Sequence, residues 1–268
     1  MSETEKYVVF SDLHGRTGLL DAVVDRYKSS DVNLVSNGDL IGGPDTYGSI
    51  QTVLDVGITA VYGNHEWALD SALQTEDPEI LEELAVVGHS RYFRTIYPSY
   101  GINGIREQNP SNTMALEALQ NLKSAIKEVG HEEYFKHLRL YFQTGSFLAI
   151  HAGVLPNKPW FGNNPQMSQK AELDKIEAEI HTREFDWTNG PPIQIADNCL
   201  YSLSSSIERP SQLRDLTLVT GHNHKQQDET MRITGRGKRA SLGDGRNPKG
   251  PLYVWESWTG LVVPVTTK

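Results

Sequence analysis

The chain has 268 residues, of which 38% are hydrophobic and 22% charged, and it carries a net charge of −9. That is enough apolar material for one large domain, which excludes intrinsic disorder, and the acidic balance excludes the broad basic field of a protein that coats nucleic acid. The one cysteine, Cys199, excludes an intramolecular disulfide, and no run approaches the roughly 18 apolar residues of a membrane span, so the expected location is the cytoplasm.

Along the chain, the N-terminal third alternates β-branched runs with helical stretches. Tyr7 to Phe10 reads as a buried strand, Leu19 to Tyr27 as a helix, Val32 to Ser36 as a strand, Tyr47 to Val56 as a helix and Ile58 to Tyr62 as a strand. Such alternation predicts parallel strands joined by crossover helices. From about residue 69 to 139 the pattern turns helical. Pro78 to Val87 opens with a proline and acidic residues suited to a first helical turn. Asn112 to Val129 places Met114, Leu116, Leu119, Leu122, Ala125 and Ile126 near one stripe, with Gly130 as its stop. The segment reads as a helical insertion, a cap beside the site.

Strands resume at Leu138 to Gln143 and Phe147 to Ile150, with Thr144-Gly145-Ser146 as a hairpin turn. Asn157 to Pro192 reads as loop around an acidic helix from Gln169 to Ile180. Leu216 to Val219 is a further strand, and Met231 to Val265 reads as all-β.

Five polar clusters follow strands: Asp12-Leu13-His14, Gly38-Asp39, Gly63-Asn64-His65-Glu66, His151-Ala152-Gly153 and Gly221-His222-Asn223-His224. Loops at the C-terminal edge of parallel strands are where ligands bind. Five of the nine histidines fall in these clusters, so the recurrence is not that of scattered structural histidines. Imidazole with carboxylate and amide suits borderline divalent metals such as manganese, iron, zinc or cobalt. Taken singly, Asp12 could be a helix cap and Asp39 a turn carboxylate; neither reading explains why both recur beside histidines. Gly38, Gly63 and Gly221 are expected to let the chain turn tightly before a ligand. His89, His131, His137 and His181 lie outside the clusters and read as structural.

The series Asp-x-His, Gly-Asp, Gly-Asn-His-Glu, a later His and Gly-His-x-His resembles the calcineurin-like metallophosphoesterase superfamily, over Tyr7 to about His224. The resemblance implies an α/β fold: a four-layer αββα sandwich of two mixed β-sheets flanked by helices, one domain over 1–268 with the helical cap insertion at about 69–139. It implies two divalent metal ions, manganese first. Asp12, His14, Asp39 and His224 would hold one, and Asp39, Asn64, His151 and His222 the other, with Asp39 bridging. His65 would face the leaving group as general acid, and Glu66 or Asp45 would orient it. The reaction implied is hydrolysis of a phosphate ester or anhydride by a hydroxide bridging the two metals, which about 3.5–4 Å apart can clamp attacking and leaving oxygens.

Within the superfamily, His151-Ala152-Gly153-Val154 and Ala240-Ser241-Leu242-Gly243-Asp244-Gly245 look most like the branch of diadenosine tetraphosphatases and Ser/Thr protein phosphatases. That branch follows Gly-Asp with a segment ending in Arg-Gly, and here Gly38 to Asp45 holds no arginine. The absence argues against protein phosphatase activity and against a simple symmetrical tetraphosphatase. The doubled histidine of Gly221 to His224 is similar to the phosphodiesterase and nucleotidase branches. A small phosphorylated substrate, nucleotide or dinucleoside polyphosphate, is the leading expectation; substrate-binding residues are not assigned. The alternatives are a phosphodiesterase on nucleic acid or cyclic nucleotides and a non-catalytic metal-binding scaffold. Net charge weighs against nucleic acid as a partner, and the full donor set with His65 weighs against the scaffold. Arg236, Lys238, Arg239, Arg246 and Lys249, like Arg91, Arg94 and Arg106, could grip phosphate, but read better as solvated positions. Trp160, Phe161 and Trp187 read as packing a loop.

Overall fold

The computed structural model describes residues 5–28, 31–103, 110–154, 168–182, 211–213, 215–222, 232–234, 237–242 and 250–267. His224, Trp160, Phe161, Trp187, Cys199, Arg106, Arg236, Arg246 and Lys249 lie outside them. Among the described residues the strands form two five-stranded mixed sheets. The first runs β10 (Val262–Val265), β9 (Leu252–Glu256), β1 (Lys6–Phe10), β2 (Val32–Ser36), β3 (Thr59–Ala60). The second runs β4 (Phe142–Gln143), β5 (Phe147–Ala149), β6 (Thr217–Thr220), β8 (Gly237–Ser241), β7 (Arg232–Thr234). Strands β1, β2 and β3 are parallel, as are β5, β6 and β8, while β9, β10, β4 and β7 pair antiparallel.

Alternation along the strands explains the layering, because successive side chains of a strand point to opposite faces. Val9, Val35, Phe147, Ala149, Val219, Ala240 and Trp255 form a core of their own between the sheets. Their strand neighbours Val8, Phe10, Leu148 and Leu218 belong instead to the core that includes the helices. Helices α1 (Thr17–Tyr27) and α2 (Thr46–Val56) bury Leu19, Leu20, Val23, Ile50 and Val53 in that core, and α7 (Gln169–His181) buries Leu173, Ile176 and Ile180. Two mixed sheets flanked by helices is the architecture expected.

Helices fill the chain between β3 and β4: α3 (Asn64–Gln74), α4 (Pro78–Gly88), a π-helical turn His89–Phe93, a 3₁₀ turn Tyr97–Tyr100, α5 (Asn112–Glu128) and α6 (Glu132–Lys136). Asp77 caps α4 by accepting the N–H of Glu79 at 2.9 Å, with Pro78 in the first turn, and Ser111 caps α5 through Met114 N–H. The buried stripe of α5 is Ala115, Ala118, Leu119, Leu122 and Ile126, whereas Met114 is exposed and Leu116 only half-buried. The stripe is thus turned toward the alanines, which are buried.

The strand expected over Leu138 to Gln143 is shorter. Only Phe142 and Gln143 pair with β5, closed by Thr144 N–H on Phe147 O at 2.9 Å. Upstream, Arg139 bridges to Val61, and the Leu140 N–H goes to the Glu177 carboxylate of α7 at 2.7 Å rather than into a ladder. No described helix is long and apolar enough to cross a membrane.

Candidate metal centre

The polar clusters gather where the two sheets meet, not at the edge of one. Asp12 and His14 follow β1, Asp39 follows β2 and Asn64 follows β3, all from the first sheet; His151 and His222 follow β5 and β6 of the second. The loops are laced together by main chain: Asp12 N–H donates to Gly38 O at 3.0 Å, His14 N–H to Asp39 O at 2.9 Å, and Gly221 N–H to His151 O at 2.8 Å. Asn37 spans the sheets, its amide donating to Ile150 O at 3.2 Å and Val219 O at 3.3 Å.

Among the described residues, the non-glycine positions with positive φ are Asp12 (57°), His14 (46°), Asp39 (52°) and His222 (59°). Each such conformation costs on the order of 1–3 kcal/mol and persists only where the surroundings over-determine it. Here the strain falls on four of the expected ligands, which is where a site that must aim its donors would place it.

Side chains converge on Asp39. His14 Nε2 and His65 Nε2 each lie 3.9 Å from Asp39 Oδ2, and His151 Nε2 lies 3.5 Å from the same oxygen. His14 Nε2 is also 3.9 Å from Asp12 Oδ1, and His151 Nε2 is 3.3 Å from Asn64 Oδ1. Donor atoms of His14, Asp39 and His65 fall within 4.8 Å of one another, as do those of Asp39, His151 and His222. Asp39 belongs to both groups. The structure therefore brings together Asp12, His14, Asp39, Asn64, His65, His151 and His222; His224 falls outside the described residues.

The donor chemistry fits divalent cations. His151 Nδ1 donates to Asn37 O at 2.8 Å, which leaves Nε2, facing Asp39 and Asn64, as the atom that would exchange its proton for a cation. His14 Nε2 is buried with no hydrogen-bond partner. A buried imidazole nitrogen so placed, 3.9 Å from two carboxylates, needs a further electrophile to satisfy it. The protein's own charges also strain the centre. Burial pushes the Asp12 carboxyl up to about 7, with the Asp39 charge adding to it and His151 opposing. Burial lowers His14 to about 4. Burial would lower His151 too, but the Asp39 carboxylate outweighs it and raises that imidazole to about 10. For Asp39, burial is outweighed by His151 and His65, which hold it well below the usual carboxylate range. A multivalent cation neutralises crowded carboxylates more completely than imidazolium does.

Several expectations about supporting residues are corrected. Glu66, expected to orient His65, is committed to backbone instead: its buried carboxylate accepts Asp39 N–H at 2.8 Å, Leu40 N–H at 2.8 Å, Ile41 N–H at 3.1 Å and Gly63 N–H at 3.0 Å. Asp45 instead caps α2, accepting Gly48 N–H at 3.0 Å. Gly63 and Gly221 are not turn glycines either. Gly63 is extended, and a Cβ there would stand 2.2 Å from Asp39 Oδ1; at Gly221 it would stand 2.2 Å from Asp12 Oδ2. They are bare so that carboxylates can lie against the backbone. Arg239 is not a solvated cation: it is buried, with its Nε 3.2 Å from Thr220 Oγ1, because β8 lies inside its sheet. Arg94 is exposed.

The histidines outside the clusters take structural places. His131 is buried with Nδ1 2.7 Å from Tyr100 OH and Nε2 3.2 Å from Gln51 Oε1. His181 Nε2 donates to Leu138 O at 2.9 Å, and His89 stacks on Tyr97. Tyr92 was not singled out in the sequence, yet its ring stands edge-on to His65 with centroids 4.9 Å apart.

Comparisons with known proteins agree with the fold and the family. The chain resembles the fold of a solved protein assigned as a diadenosine tetraphosphatase, at 17% identity over 98% of this chain and 94% of that one, with a TM-score of 0.53. A cold-active protein-tyrosine phosphatase of a Shewanella species aligns at 14% identity over 98% and 81%, TM-score 0.54. A protein serine/threonine phosphatase from Saccharomyces cerevisiae aligns at 11% identity over 100% and 81%, TM-score 0.51. At these identities the likeness is one of fold. No curated protein sequence matches the chain. A family model described as calcineurin-like phosphoesterase matches residues 5–226, most of the chain and every cluster above, and the chain belongs to that family of metal-dependent phosphoesterases.

Proposed function

We propose that this protein is a dinuclear metal-dependent hydrolase of small phosphate esters or anhydrides, with a nucleotide or dinucleoside polyphosphate as the leading substrate class and manganese as the leading metal. The observation that carries the reading is the position of Asp39, whose Oδ2 lies 3.9 Å from His14 Nε2 and which groups with His151 and His222 on its other side. A single carboxylate between two donor groups is what a pair of cations a few ångströms apart requires. Asp12, His14, Asp39 and His224 would hold one ion, and Asp39, Asn64, His151 and His222 the other.

Bound there, the two cations would supply charge neutralisation for the phosphoryl oxygens and a hydroxide nucleophile at neutral pH. The protein's own part is positional. Asn37 O fixes the ring of His151, Ser11 Oγ donates to Asp12 Oδ2 at 2.5 Å, and His222 N–H donates to the same carboxylate oxygen at 3.0 Å. These contacts leave few ways for the donors to relax away from the centre. His65, 15% exposed and beside Asp39, would reach a departing oxygen and hand it a proton.

The test is hydrolysis of para-nitrophenyl phosphate and its bis-ester by protein loaded with manganese or cobalt, together with metal counting in Asp39→Asn. Activity should vanish on exhaustive chelation and return with metal, and Asp39→Asn should lose both ions together. Undiminished activity in metal-stripped protein would sink the proposal; loss of a single ion in Asp39→Asn would sink the bridging role. A parallel panel of mononucleotides, dinucleoside polyphosphates, phosphopeptide and single-stranded nucleic acid assigns the substrate class, and a preference for nucleic acid would overturn the small-molecule reading.

A further inference from the structure

Beyond α3, which itself carries Asn64 and His65, the helical segment between β3 and β4 meets the centre at Tyr92, where the backbone is unusual. Residues His89–Phe93 form a π-helical turn continuous with the end of α4. Such turns carry one extra residue per turn, cost helical regularity, and recur where a side chain must be re-aimed. Here the turn is pinned from behind. The Phe93 ring is fully buried against Gly88, where a Cβ would stand 2.2 Å from the ring, and His89 stacks on Tyr97. Thr95 Oγ1, just past the turn, donates to Gly42 O at 2.9 Å and so fastens it to the Asp39 loop.

The turn projects Tyr92, half-buried, onto His65. The two rings meet at 80° with centroids 4.9 Å apart. On other sides the imidazole meets His14, ring centroids 4.8 Å apart, and Gly42, where a Cβ would stand 2.1 Å from His65 Nδ1. Beside Asp39 Oδ2, which is 3.9 Å from its Nε2, the imidazole thus packs against these three neighbours. Two of them have other employment: His14 is an expected metal ligand, and Gly42 is backbone of the ligand loop. Tyr92 has no place in the donor set, yet the π-turn aims it at the one histidine expected to act on the leaving group.

We propose that Tyr92 is a positioning residue for His65, holding the imidazole in line with the departing oxygen; this inference rests on the reading of His65 as proton donor. The ring does the holding, through edge-to-face contact, so the phenolic hydroxyl is dispensable. A proton donor matters most when the leaving group is a poor one, because a stable anion departs without help. Misplacing the donor by about 1 Å costs on the order of 10²-fold.

The experiment compares kcat of wild type, Tyr92→Ala, Tyr92→Phe and His65→Asn on para-nitrophenyl phosphate, phenyl phosphate and an alkyl phosphate, with bound metal measured in each. Tyr92→Ala should lose on the order of 10²-fold on the alkyl ester and little on the nitrophenyl ester, with metal content unchanged. Tyr92→Phe should restore wild-type rates, and His65→Asn should show the same leaving-group pattern, more steeply. A uniform loss across all three esters in Tyr92→Ala, no loss, a loss of metal, or a failure of Tyr92→Phe to rescue would each overturn the positioning role. If His65→Asn itself shows no dependence on the leaving group, the proton-donor reading falls and this inference with it. If His65→Asn shows the pattern and Tyr92→Ala does not, only the inference on Tyr92 falls.

Discussion

Glu66 Oε2 accepts the backbone N–H of Asp39 at 2.8 Å, so the residue after the expected proton donor grips the main chain of the expected bridging ligand. The other carboxylate oxygen takes Leu40 and Ile41 N–H, and Tyr134 OH donates to it at 3.4 Å. All of this is buried, and Asp39 sits in a left-handed conformation that the chain would not adopt unaided. Glu66 is the clamp that makes that conformation hold.

Glu66→Gln should therefore be severe despite its conservative shape. One end of an amide can accept, but the other is an NH₂ facing two backbone N–H groups that then have no acceptor. Leaving buried donors unpaired costs about 1–3 kcal/mol each, so a loss of about 2–6 kcal/mol is expected from denaturant unfolding. Bound metal should fall as well, since the Asp39 loop is released. A variant with wild-type stability and wild-type metal content would show that the four N–H contacts do not hold the loop.

Gly63→Ala tests the same loop without replacing an expected ligand. The new Cβ would stand 2.2 Å from Asp39 Oδ1 and 2.3 Å from Asp39 N, too close for either to stay. Since Gly63 is extended, with φ −103° and ψ 178°, alanine costs nothing in backbone conformation and any effect reports the collision alone. The expected outcome is a protein that folds but binds metal on the order of 10-fold more weakly, as when supporting contacts of a metal site are disturbed. Unchanged metal affinity by titration calorimetry would show that Asp39 can move aside freely, which contradicts its role as a fixed bridge.

These two residues show where sequence reading works and where it stops. Asp12, Asp39, Asn64, His151 and His222 are legible because each ends a strand, and a strand's end is fixed by its β-branched run. That the strands belong to two sheets is legible only through the family resemblance and not from local pattern, because β5 and β6 pair with each other across nearly 70 residues of intervening chain. Glu66 had a local signal: an acid at the third position of a helix that follows a glycine reaches back to the N-cap N–H, as it does to Gly63. Its three further contacts come from a loop 25 to 27 residues away and have no local signal. Tyr92 is less legible still, since its contact with His65 depends on a π-turn whose extra residue has no periodic signature. Arg239 misled for a related reason: a basic run suggests solvent, but β8 is an interior strand covered on both faces, so that Arg239 and its neighbour Ala240 are both buried.

A pH dependence is expected away from the metal centre, at His131. This imidazole is buried between Tyr100 OH and Gln51 Oε1, with the Tyr47 ring 4.6 Å from its own, and it ties α2 and the 3₁₀ turn Tyr97–Tyr100 to the start of α6. Gln51 Oε1 accepts from Nε2–H, so Nδ1 is the acceptor for the Tyr100 hydroxyl and the ring is neutral. Burial lowers its pKa below 6.5, with Asp55 pulling weakly the other way. A histidine whose folded-state pKa is depressed binds its proton more readily when unfolded, so its stabilising contribution is complete above 6.5 and is lost as pH falls through the lower, folded value. The melting temperature of wild type should therefore drop between pH 7.5 and pH 5.5. The comparison that isolates His131 is His131→Gln, which cannot take up a proton and can still bond Tyr100. The variant is expected to melt lower at pH 7.5, because its amide fills the site less well than the ring, but to lose less on acidification than wild type does. Parallel melting curves for the two proteins across that range would assign the acid sensitivity to other groups and leave His131 as a packing residue only.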